Sequence, residues 1–392
     1  MLLTPRFFAL IISILAINNI LIITPFTPSP IYFGIFLLAF ILAILKSRLE
    51  LDIATVIFVI VCSASVTFNN IPAYFKPIER LAIFVIALLV ISPLLQSDFM
   101  KKIRLHCFKF SNRLIVTVVF ISFFGKITGI YPGIDFANHF SGLTLSSMSI
   151  APLAALSFII AVFQLKNASL SKMYKWFFRF IILASLLVLI LSASRIAIVG
   201  LLVASLYLLT KIYNKKYSKF VRTIFVFSIL TVVSFPLWES YTNDLVMKTK
   251  QRKVDGNLLS SREDLWAFRL QEFSQSPLIG IGLSNAMYGS INYDTGTVEP
   301  GTSWGVILSM TGILGLSVFV FLLIRAFRGN SKINSKNYLS ISNFLNTILI
   351  FFMVHWIAEG YILAANSYLF FYSWLILGVS GINQQNKKIE VI

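Results

Sequence analysis

WESYTNDLVMKTKQRKVDGNLLSSREDLWAFRLQEFSQSPLIGIGLSNAMYGSINYDTGTVEPGTS, residues 238–303, is a long polar interruption in a chain otherwise built of apolar stretches. The 64 residues between Trp238 and Ser303 hold eight of the fifteen Asp and Glu residues: Glu239, Asp244, Asp255, Glu263, Asp264, Glu272, Asp294 and Glu299. Six basic residues join them. The runs on either side are long enough to cross a bilayer. A multi-span chain that gathers its acids in one loop is expected to do its chemistry beside that loop.

The chain is 57% hydrophobic and 12% charged, with a mean hydropathy of +0.85. A soluble domain cannot hide that much apolar surface, and the runs are too long for barrel strands. The expected fold is therefore all-α, a polytopic helical membrane protein of about twelve transmembrane helices with one large loop outside the membrane. The predicted spans are 7–24, 31–46, 51–69, 78–96, 114–129, 147–165, 180–193, 196–211, 223–238, 303–324, 338–357 and 362–382. The short ones imply tilted or locally broken helices. The N-terminal run has no small-residue cleavage site and reads as the first span. Three parts follow: 1–238 with nine spans, 239–302 as the large loop carrying a short amphipathic helix, and 303–392 with three spans and a tail.

Orientation comes from Lys and Arg. With the N-terminus inside, 23 of the 33 basic residues fall on cytoplasmic segments, so most of the +18 charge is a topology signal. Both termini are then cytoplasmic and 239–302 is outside. Basic residues scattered over short loops do not form a nucleic-acid surface. Cys62 lies in a span and Cys107 in a basic loop, so no disulfide framework is expected.

Some basic residues are left over from this bookkeeping. Arg195, in LSASR between two apolar helices, has no acid near it in sequence. A membrane-edge arginine is a functional candidate, the alternative being a side chain that snorkels to the headgroups. In SSREDLWAFRLQEFSQSPLIGIG (260–282), Ser260-x-x-Glu263 is a capping-box pattern and Ser276-Pro277 a stop, predicting a helix between them. Arg262, Trp266, Arg269 and Phe273 fall on one face of it. Guanidinium groups there could grip an anionic ligand bidentately; alternatively Arg269 simply pairs with Glu272 on the helix surface. Gly280-Ile-Gly282 reads as a tight turn, and Lys248–Lys253 as a solvated basic run. His139, in an outer loop, is a candidate substrate contact. His106 is placed in a cytoplasmic loop, and His355 reads as a satisfied core histidine. Glu359 is a rare acid at membrane depth, serving either substrate or a structural arginine.

In order along residues 140–382, these patterns resemble the O-antigen ligase/polymerase superfamily of bacterial membrane glycosyltransferases. The resemblance rests on SGLTLSSMSIAPLAALSF (141–158), LSASR (191–195), Arg262-x-x-x-Trp266 followed by Ser276-Pro277-Leu-x-Gly280-x-Gly282, Thr311-Gly312-Ile-Leu-Gly315, and Glu359. It implies a metal-independent transferase at the outer face of the bacterial inner membrane, with no cofactor. The donor would be an oligosaccharide on undecaprenyl diphosphate, Arg195 and Arg262 would hold the diphosphate, and Glu359 matches the family's acid near the end of the chain; from the residue reading above, Arg269, Trp266, His139 and Glu359 are the candidate substrate contacts. Glu299 or Glu272 is the candidate base. The ligase branch carries a His-Asn pair shortly before the Gly-rich span; here that stretch reads Glu299-Pro-Gly-Thr-Ser303. This departure favours the repeat-unit (Wzy-type) polymerase over a ligase acting on lipid A-core, with a chain-length regulator protein as a further partner. A transporter or lipid-linked sugar flippase should show related halves, and none is visible.

Overall fold

A computed structural model describes residues 4–22, 24, 27–69, 76–130, 133, 139–165, 171–213, 260–283, 291–292, 297–298, 300–332 and 340–383. The predicted span 223–238, the basic run Lys248–Lys253 and Glu299 lie outside them. The described residues form helices α1 (Pro5–Asn18), α2 (Ser29–Lys46), α3 (Ile53–Thr67), α4 (Pro77–Ile91), α5 (Asp98–Thr128), α6 (Ser147–Leu165), α7 (Lys172–Leu191), α8 (Arg195–Tyr213), α9 (Ser260–Gln275), α10 (Ser303–Lys332), α11 (Ile341–His355) and α12 (Tyr368–Asn383). A two-residue antiparallel pair, Ile291–Asn292 with Thr297–Val298, is the only ladder among them. Five helices (α2, α5, α6, α7 and α10) are long and apolar enough to cross a membrane; α1, α3, α11 and α12 are apolar and shorter. The protein is thus a helical membrane protein, the architecture in which each backbone satisfies its own polar groups in lipid.

The core lies around α12, almost every residue of which is buried. Its Trp374 ring meets Phe58 of α3, Phe84 of α4 and Phe319 of α10 at centroid distances of 5.7, 6.1 and 5.8 Å. Offset and edge-on aromatic contacts of this kind add to burial energy. Long-range hydrogen bonds define two ends of the bundle, here named for the expected orientation. At the inner end Arg325 grips Asp52 at 2.7 and 2.8 Å, and Asn330 donates to Asn346 and Ser380. At the outer end Asn19 donates to the Asn366 carbonyl, and Asn69 to that of Gly280.

The structure corrects the sequence reading in three places. Residues 98–113 are not a basic loop but the first half of α5, a 31-residue helix. Cys107 is buried within it, and His106 is helical. Arg104 explains why: it is fully buried, with Nε donating to the Val90 carbonyl at 2.9 Å and Nη2 to that of Leu95. A side chain that reads as loop charge thereby satisfies carbonyls at the end of α4. Second, the last helix starts at Tyr368 rather than 362, leaving 356–367 as a turn-rich connection that contains Glu359.

Third, α10 is broken. Gly312 has φ 65° and ψ −171°, a conformation open to glycine and strained for other residues, and it divides 303–311 from 313–332. The SPLIGIG segment fills the break. Ile281 and Gly282 donate to the carbonyls of Ser309 and Met310 at 2.8 and 3.3 Å, while Ile313 and Leu314 donate to those of Pro277 and Leu278 at 2.9 and 3.2 Å. Every freed backbone group named here therefore finds a partner. A Cβ on Gly280 would strike Met310 and Thr311 backbone, and one on Gly312 the Leu278 backbone.

Candidate functional site

Helix α9 packs against α10 at the outer end of the bundle. It begins at Ser260, where the cap pattern predicts, and stops one residue before Ser276-Pro277. Its inward positions are Arg262, Leu265, Trp266, Arg269, Glu272 and Phe273; Glu263, Asp264 and Leu270 face outward. The predicted Arg/aromatic face is the packed face. Gly301 and Gly305 permit this closeness: a Cβ on Gly301 would press on Leu265, and one on Gly305 would come within 3.0 Å of Arg269 Cγ.

The two arginines of α9 meet different acids. Arg262 Nη2 reaches Glu359 Oε1 at 3.1 Å, and its Nη1 donates to the Gly301 carbonyl at 3.3 Å. Both side chains keep partial exposure, 15% and 17%. Arg269 Nη1 stands 2.8 Å from Glu272 Oε2, as the helix-pair alternative has it, but the pair is buried rather than on the surface, at 1% and 0% exposure. Burial holds the Arg269 guanidinium below the ordinary arginine value, with Glu272 opposing the shift. The Nε and Nη2 of Arg269 and the Nε1 of Trp266 are buried without a hydrogen-bond partner.

Glu359 is held by its backbone. Ser303 Oγ donates to the Glu359 carbonyl at 2.6 Å and accepts from Tyr361 N at 3.1 Å, and Ser303 N donates to the carbonyls of Trp356 and Glu359. Nearby, His355 Nδ1 and the Tyr361 hydroxyl share a hydrogen bond of 3.0 Å in the interior. The sequence reading missed Ser303 and Asn69. Ser303 reads only as the first residue of a span, and nothing local couples it to a connection 56 positions on.

Arg195 begins α8 and is exposed. Gly200 lies against Phe351, and the Tyr207 hydroxyl accepts from Asn346 at 3.3 Å, so α8 runs antiparallel to α11. Arg195 is therefore at the His355–Glu359 end, the end that also carries Arg262. Ala193 just before it has φ 52°, the only non-glycine residue with positive φ among the described residues. Strain of that kind gathers at functional turns. His139 also sits at the outer end, in the loop whose Leu143 and Thr144 pair with the segment after α1.

The outer end thus combines an arginine partly exposed beside a carboxylate, a second arginine at a strained turn, and a third buried against Glu272. Preorganised cations of this kind can hold a polyanionic group at a membrane edge. Residues 180–320 match the family described as O-Antigen ligase. The match takes in Arg195, all of α9 and the Gly312 break, and stops before Glu359. No curated protein matches the chain.

Proposed function

We propose that this protein polymerises undecaprenyl-diphosphate-linked oligosaccharide repeat units into O-antigen or a related surface polysaccharide, at the periplasmic face of the bacterial inner membrane with both termini cytoplasmic. The observation that carries the reading is the placement of Arg195 and Arg262 at one end of the bundle, within the segment that matches the O-antigen ligase family. An acceptor sugar hydroxyl attacks the anomeric carbon of the growing glycan. The bond from that carbon to the diphosphate oxygen breaks, and undecaprenyl diphosphate leaves with its charge held by Arg195 and Arg262. The hydroxyl proton passes to a carboxylate or to water; because diphosphate is a good leaving group, a strong base is not required.

Of the two bases named from the sequence, Glu299 lies outside the described residues. Glu272 is shielded by Arg269, and its role is to hold that guanidinium in place. Glu359 is the partly exposed carboxylate in contact with Arg262. It keeps the guanidinium oriented until the diphosphate arrives. Trp266 and His139 line the approach of the lipid-linked sugar, whereas Arg269, named from the sequence as a substrate contact, is buried against Glu272 and supports α9 from behind.

A second reading, transfer of the finished glycan to lipid A-core, is favoured by the description of the matched family. Against it stands the absence of His from the stretch 299–303. Disrupting the gene and running the cell's lipopolysaccharide on a gel separates the two. Core capped by a single repeat is the polymerase result. Bare core with polymer accumulating on the carrier is the ligase result and removes the proposal.

A further inference from the structure

The inner end of the bundle holds a cavity of about 600 Å³ between the start of α1, the end of α2 and the start of α5. Its charged lining is Lys46, Arg48, Lys101 and Lys102 against Glu50 and Asp98, an excess of two cations. Lys46 also lies over the Phe99 ring, 5.5 Å from its centroid. An adjoining cavity of about 400 Å³ shares Glu50 and Gln96 with it, but its Arg325 is already gripped by Asp52. The unbalanced positive charge therefore belongs to the first cavity.

Lys101 is the decisive residue. It is only 8% exposed, and its side chain makes no hydrogen bond or ion pair among the described residues. Its stem is packed away while its ammonium opens to the cavity, where it has no counter-charge of its own among the described residues. An anion in the cavity would supply that partner. Around that cavity the surface is apolar: Leu45, Leu49, Leu51 and Ile53 are 74%, 46%, 58% and 75% exposed. Such a rim at a membrane edge faces acyl chains, so the anion that reaches Lys101 comes attached to a lipid. Basic pockets between helix ends on the cytoplasmic side are suited to this task, and a volume of this size suits a headgroup.

We infer that this cavity binds the headgroup of one anionic phospholipid, with the phosphate at Lys101, Lys102 and Arg48 and the acyl chains over Leu45, Leu49 and Ile53. The site is at the opposite end of the bundle from Arg195 and Arg262 and does not depend on the proposed reaction.

The test uses the full chain in detergent, titrated with phosphatidylglycerol and, separately, phosphatidylethanolamine, and read by native mass spectrometry. Wild type and Lys101→Arg are expected to retain one phosphatidylglycerol. Lys101→Met, which keeps the stem and removes the charge, should weaken that binding about tenfold. Phosphatidylethanolamine should bind all three more weakly and alike, and millimolar inorganic phosphate should leave the bound lipid in place. Equal phosphatidylglycerol affinity in Lys101→Met and wild type overturns the inference. So does equal retention of the two lipids by wild type. Displacement of the lipid by phosphate would mean a free-anion site and overturns it as well. If Lys101→Met fails to fold, the lipid comparison and the phosphate competition on wild type still decide.

Discussion

Arg262 and Glu359 stand 97 positions apart in sequence and 3.1 Å apart in space. The contact joins the first turn of α9 to the connection between α11 and α12, and so ties the polar loop to the last helices of the bundle. With Arg195 at the same end, it defines where a diphosphate could be held.

If these arginines hold the diphosphate, Arg195→Ala and Arg262→Ala should each abolish polymer while the protein still inserts. Arg→Lys at either site should also impair, because an ammonium does not reproduce the bidentate fork. One charged hydrogen bond to the diphosphate is worth roughly 1.5–3 kcal/mol in binding alone. Polymer length on a lipopolysaccharide gel is the measurement, and wild-type length in both Ala variants contradicts the assignment.

The Arg269–Glu272 pair makes a stability prediction. Glu272→Ala leaves a buried guanidinium uncompensated and should cost about 3–5 kcal/mol. Replacing both, as Arg269→Met with Glu272→Leu, should recover much of that loss, since apolar isosteres of a buried pair are often neutral. Thermal unfolding in detergent reads both; an unshifted melting temperature in Glu272→Ala would show that the pair is not buried in the protein.

Gly312 and Gly34 form a matched pair of tests. Gly34 has nothing within 4 Å of a would-be Cβ, whereas Gly312 has positive φ and Leu278 backbone in the way. Gly34→Ala should be silent. Gly312→Ala carries roughly 1–3 kcal/mol of backbone strain before any clash is counted, and should release the 277–282 segment to protease. Equal protease resistance in the two variants would argue against the docked loop.

Orientation is checked by C-terminal reporter fusions. A fusion after Asn285 should report the outer compartment and one after Asn330 the cytoplasm, following the division of Lys and Arg. A cytoplasmic signal at Asn285 would remove the periplasmic reaction altogether.

The purified protein should go on making polymer from lipid-linked repeat units in excess EDTA, because the expected counter-charges are arginines. The outer-loop sequence offers no Asp-x-Asp pair and no His/Cys cluster. Activity lost to chelator and restored by magnesium or manganese would transfer the role of Arg195 and Arg262 to an ion.

Sequence alone located most helices and the packed face of α9, because hydropathy and 3.6-residue spacing are local signals. It mistook 98–113 for a loop because Lys101, Arg104 and Lys109 look solvated in one dimension. Only the carbonyls of Val90 and Leu95 explain a buried Arg104. Likewise Glu359 could be recognised as an unusual acid, but not matched to Arg262 rather than Arg195, since nothing local encodes a contact across 97 residues. The Gly312 break was hidden in a Gly-rich motif that reads equally well as the start of a straight span.

The hydrogen bonds between 277–282 and 309–314 also bear on how this protein can be recombined. Loop and helix complete each other's backbone, so neither is a separable cassette. A chimera that imports α9 and its trailing glycines from a relative must import the 309–314 corner with them. The loop is therefore exchanged as a two-segment unit or not at all.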